Sequence, residues 1–96
     1  MSPKNKKKLN IQRKKLDNLD NKLLNIIKKR SNLVKNVLEL KKFRSEIIDK
    51  KRINFILTKI KKKSIAKNID PKITKRIWKN MIWSFIDYEK RNFKKK

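Results

Sequence analysis

The sequence predicts an all-α protein built from three helices. Three observations carry that prediction. Apolar residues recur at steps of three and four along most of the chain. No stretch alternates apolar and polar residues as a strand would, and glycine, the residue of tight hairpins, is absent. With 96 residues there is room for one small domain.

Residues 1–8 are polar and basic with Pro3 among them, and are expected to form a disordered tail ahead of a single helical domain over 9–96. The first helix is predicted from about Leu9 to Lys42. Leu16, Leu19, Leu23, Ile26, Leu33, Val37 and Leu40 follow a heptad seam, which Leu24, Ile27, Val34 and Leu38 widen into a broad apolar face. A helix of that extent runs about 50 Å, whereas a compact domain of this size has a radius of gyration of only ~12–13 Å. The long helix should therefore overhang a monomeric globule, and a partner chain is expected.

A break near Phe43–Glu46 precedes a second helix whose apolar face is Ile53, Ile56, Leu57 and Ile60, fading into Lys61-Lys62-Lys63. Asp70 followed by Pro71 marks the third start, an N-cap with proline at the first helical position. That helix should reach about Phe93. Its apolar residues fall on two stripes, Ile73, Ile77 and Met81 with Tyr88, and Trp78, Ile82 and Phe85 with Phe93.

Composition excludes much chemistry. There is no Cys or His, hence no thiolate or imidazole nucleophile, base or metal ligand, and without Gly there is no glycine loop to cradle phosphate. No cofactor or metal is expected. The longest apolar runs are three residues, far short of the ~20 that span a bilayer, so no membrane partner is expected and the location expected is cytoplasmic. The net charge of +24 invites a nucleic-acid partner. Lys, Asn and Ile, all encoded by A- and T-rich codons, nevertheless make up just over half the chain, so much of the lysine has an ordinary explanation. Against 26 Lys only six Arg stand, at 13, 30, 44, 52, 76 and 91. Where Arg persists, its planar five-donor fork is the reason to look for.

Several charges sit where apolar residues belong. Arg30 takes a seam position between Ile26 and Leu33, a costly place for an unpaired cation. A register device or a snorkelling side chain would explain it as well as an anion site. Lys41, eleven residues on, lies about 20° from the same azimuth, with Val34 and Val37 between. Asp49 and Arg52 share a face of the second helix, either as a surface ion pair or as part of a site. Glu89 falls on the Trp78, Ile82, Phe85 stripe, where desolvation would favour its protonated form unless it partners a nearby Lys or Arg.

Taken together, Arg13-(x)3-Asp17-(x)2-Asp20-(x)2-Leu23-Leu24-(x)5-Arg30, then Lys41, Asp49-(x)2-Arg52 and Glu89, resemble the all-helical class of chorismate mutases over roughly Gln12 to Phe93. The resemblance implies an intertwined homodimer of three-helix protomers, each site taking Arg13 from the neighbouring subunit. It implies that Arg13 and Arg30 grip the two carboxylates of chorismate and that Lys41 reaches the ether oxygen. Asp49 and Arg52 would line the second-helix side, and Glu89 would stand opposite Lys41, where the family usually has Gln. Rearranging chorismate to prephenate for phenylalanine and tyrosine biosynthesis is pericyclic and needs no nucleophile, metal or proton transfer. A chain without Cys or His can therefore do it.

Two positions depart from the pattern. Mutases commonly carry Glu where Ile53 stands, to bond the substrate's ring hydroxyl, and Phe85 replaces a smaller residue that is often polar. An apolar residue at position 53 resembles the isochorismate-pyruvate lyase branch, which forms salicylate on the same fold. Mutase is the first expectation, lyase the second, and a basic helical nucleic-acid binder the alternative of another class. A nucleic-acid partner is disfavoured because the lysines are spread over all three helices and most aromatics fall on core stripes.

Overall fold

The computed structural model describes residues 1–94, so the last two residues of the expected 9–96 domain lie outside the described residues. Among the described residues there are three α-helices, one short 3-10 turn and no strand. The chain divides into two units, Met1–Leu33 and Val34–Lys96.

The first unit is the leading part of helix α1 (Pro3–Leu40), 38 residues that rise about 57 Å. It begins at Pro3, not near Leu9 as the apolar pattern suggests. The Ser2 hydroxyl accepts from the Asn5 N–H at 3.2 Å and the Ser2 carbonyl from the Lys6 N–H at 2.9 Å. Pro3, which reads in sequence as a mark of irregular chain, takes the first helical position that proline favours. The lysine run behind it has good helix propensity. The heptad seam is present but uncovered in the single chain. Leu16, Leu19, Leu23 and Ile26 are each more than half exposed, and no α1 residue is buried.

The second unit holds the core. A connector links the end of α1 to helix α2 (Lys50–Ala66) and contains a 3-10 turn (Arg44–Glu46). Glu46 Oε1 accepts from the backbone N–H groups of Lys42 (3.3 Å) and Phe43 (3.0 Å), so its carboxylate ties the connector back on itself. The predicted break at Phe43–Glu46 is thus a folded turn. Asp49 caps α2, its Oδ1 accepting from Arg52 N–H at 3.0 Å.

At the far end of α2 the chain reverses with no glycine to help. Asn68 adopts φ 58°, while Ile69 N–H donates to Ser64 O and Asn68 N–H to Ile65 O. This is a Schellman closure with asparagine in the left-handed place that glycine usually fills. Helix α3 (Pro71–Asn92) follows, capped by Asp70 as predicted, with Oδ1 accepting from Lys72 N–H at 2.9 Å.

Helices α2 and α3 pack against each other. Ile47, Ile82 and Ile86 are buried, with Ile48, Ile53, Ile56, Leu57 and Phe93 packed around them. The predicted α2 face is therefore the one that faces the core. On α3 the second stripe turns inward, whereas Ile73 and Ile77 of the first are more than half exposed. Ile47 and Ile86, which no stripe singles out, are among the most buried residues. At the α2–α3 turn, Ser64 and Thr74 are buried with their hydroxyls 2.7 Å apart, and Ser64 Oγ also donates to Ile60 O. Each hydroxyl is satisfied, so the polar contact fixes the helix pair without a desolvation cost. No helix among the described residues is long and apolar enough to cross a membrane.

Candidate active site

The second unit brings two of the sequence-marked residues into direct contact. Lys41, the first residue after α1, donates from Nζ to Glu89 Oε2 on α3 at 2.7 Å. Glu89 is only 7% exposed, and its position on the inward stripe of α3 explains why. Its neighbours along that face are buried Ile82 and Ile86 and half-buried Phe85. Of the two readings of Glu89 in the sequence, the structure shows the second: on the core face it partners a cation, and that cation is Lys41. The two form a salt bridge. With the side chains 18% and 9% exposed, it is shielded from the screening that makes most surface pairs weak.

Asp49 and Arg52 are exposed and share the start of α2, but they do not form the ion pair their spacing allows. The Asp49 carboxylate is used as the helix cap. The Arg52 guanidinium lies over the Phe55 ring, 5.3 Å from its centroid, and Lys59 reaches the same ring from 5.5 Å. A cleft of about 530 Å³ beside the connector is lined by Lys41, Ser45, Glu46, Ile48, Asp49 and Lys50, so it gathers two of the marked residues. Ile53 is half-buried against the core, as an apolar residue there should be. A further cleft of about 360 Å³, lined by Leu57, Thr58, Lys61, Pro71, Lys72 and Lys75, contains none of the marked residues.

In the first unit, Arg13 is exposed on α1 and Arg30 half-buried. The two lie 17 residues apart on one helix, hence about 25 Å along its axis.

Two residues near the Lys41–Glu89 pair escaped the sequence reading. Glu46 folds the connector, and Arg44 ties it to α3, donating from Nη1 to Lys90 O at 3.1 Å. Only the scarcity of arginine hinted at Arg44, and nothing in the spacing marked Glu46.

This arrangement offers cationic hydrogen-bond donors and one shielded carboxyl group. It suits a reaction that needs positioning and charge stabilisation. The model of the chorismate mutase type II family matches residues 12–90 of the chain. The chain belongs to that family. The match opens just before Arg13 and closes just after Glu89, so every residue marked in the sequence falls inside it. No curated protein and no solved structure gives a significant match.

Proposed function

We propose that the protein is a chorismate mutase, catalysing the pericyclic rearrangement of chorismate to prephenate. The observation that carries this reading is the contact between Lys41 and Glu89, at 2.7 Å, inside a chain of the chorismate mutase type II family. The reaction needs a flexible dianion held in its folded, reactive conformer. It also needs a donor for the negative charge that develops on the ether oxygen as the C–O bond breaks. Lys41 supplies that donor as an ammonium. The ether oxygen would take the acceptor place that Glu89 Oε2 holds in the free chain. Glu89 then assists only when protonated, as a second donor, because a carboxylate would repel the oxygen.

Arg30 and Arg13 are proposed to bind the two carboxylates, with Arg52 and Asp49 on the α2 side and Phe85 and Ile53 as apolar boundaries. About 25 Å separates Arg13 from Arg30 along α1, more than two side chains of one copy can close on a small molecule. Arg13 would therefore come from a second subunit. The exposed seam of α1 supports the same homodimer: Leu16, Leu19, Leu23, Ile26 and Leu33 are left to solvent, as heptad positions are before a partner helix covers them.

Isochorismate-pyruvate lyase is the second reading, favoured by Ile53 where mutases commonly carry Glu. Packing of Ile53 against the core accounts for an apolar residue there without lyase chemistry, and the mutase reading stays first. Incubating the purified protein with chorismate and with isochorismate separately decides between them. Prephenate from chorismate is the expected product. Salicylate and pyruvate from isochorismate, with chorismate left unchanged, would assign the lyase.

A further inference from the structure

Of the six arginines, three are taken up by the proposed substrate contacts, and Arg44 is not. It stands in the connector, three residues after Lys41. Its Nη1–H donates to Lys90 O at 3.1 Å, and its guanidinium carbon lies 5.3 Å from the centroid of the Phe93 ring. Lys90 O belongs to the last turn of α3, where carbonyls lack an intrahelical partner and the negative end of the helix dipole favours a cation. Two ties thus join the same pair of segments. Lys41 holds Glu89, and Arg44 holds the next residue, Lys90. Between them the connector folds back on the Glu46 carboxylate.

These two ties cannot have the same fate during turnover. The first must open, because the Lys41 ammonium has to leave Glu89 Oε2 for the ether oxygen. With that bond gone and no second tie, the connector would be free to carry Lys41 away from α3. We infer that Arg44 is a positioning residue, which clamps the connector to the C-terminal turn of α3 so that Lys41 stays aimed at the reacting oxygen once the Lys41–Glu89 bond has opened. The inference rests on the proposed mutase reading. It also accounts for arginine in a chain that uses lysine almost everywhere else. The planar guanidinium can donate to a carbonyl from its edge while its face lies on a ring, whereas an ammonium has no such face.

The test combines residue-resolved amide hydrogen exchange with chorismate kinetics on the full chain, its Arg44→Ala variant and its Arg44→Lys variant. In Arg44→Ala, exchange at the Lys42 and Phe43 amides should accelerate at least about tenfold while the α2 amides stay unchanged, which separates local loosening from global unfolding. Turnover should fall about tenfold in kcat with KM changed by no more than about twofold, and Arg44→Lys should lie between wild type and alanine in both readouts. Connector exchange equal to wild type in Arg44→Ala would overturn the inference, and so would a loosened connector with undiminished kcat. Absence of turnover in the wild-type protein would refute the mutase reading itself. The exchange arm then decides alone whether Arg44 holds the connector.

Discussion

With its charge in place, Glu89 accepts a bond from the Lys41 ammonium and can do nothing for a developing oxyanion. Its proton is what turns it from an acceptor into a donor. Glu89→Gln, a permanent donor of similar shape, should therefore raise kcat. Chorismate turnover measured for both proteins under one set of conditions checks this, and equal kcat would remove Glu89 from the mechanism. Lys41→Ala should lower kcat by at least about 10²-fold, the usual scale for losing one such donor. Because that change strands a buried carboxylate, Lys41→Ala with Glu89→Gln should regain thermal stability without regaining turnover. The sequence exposed both residues for one physical reason: a charge on an apolar stripe is conspicuous. Asp49 was marked only by its spacing to Arg52; its carboxylate caps a helix, and spacing alone does not distinguish a cap from a site.

The helices were legible as elements because their signals are local. Asp70 and Pro71 announced α3 correctly, and the 3.6-residue repeat found the inward faces of α2 and α3. Hydrophobic periodicity could not find the start of α1, since a lysine-rich helix capped by Ser2 continues after its apolar face has ended. Nor could it find the Ser64–Thr74 contact or the burial of Ile47, which depend on how one element meets another. The α2–α3 turn gives a test at this scale. Asn68 sits at φ 58°, where a Cβ is penalised and only Gly and short polar residues are at ease. Asn68→Ala should cost about 1 kcal/mol of unfolding free energy, and Asn68→Gly should not. Denaturant titration of the three proteins reads the difference, and equal midpoints would mean that the turn relaxes out of the left-handed region.

At the scale of the whole molecule, the charge of +24 and the exposed α1 seam call for explanation together. The charge is borne mostly by exposed lysines on all three helices, where it would help to draw in a dianionic substrate. The proposed second copy would cover the seam. If each site takes Arg13 from its neighbour, then Arg13→Ala and Lys41→Ala proteins, each nearly inactive, should regain activity when unfolded together and refolded as a mixture. Each mixed dimer holds one site with both residues intact. No recovery, with the wild-type mass staying at that of a single 11.7 kDa chain, would argue for a monomer. Central to all of this is the reaction itself, and its most direct measurement is conversion of chorismate by the purified protein from about pH 5 to about pH 8. Prephenate should form without any added metal or cofactor. Unchanged chorismate throughout, with the protein folded, would contradict the proposal.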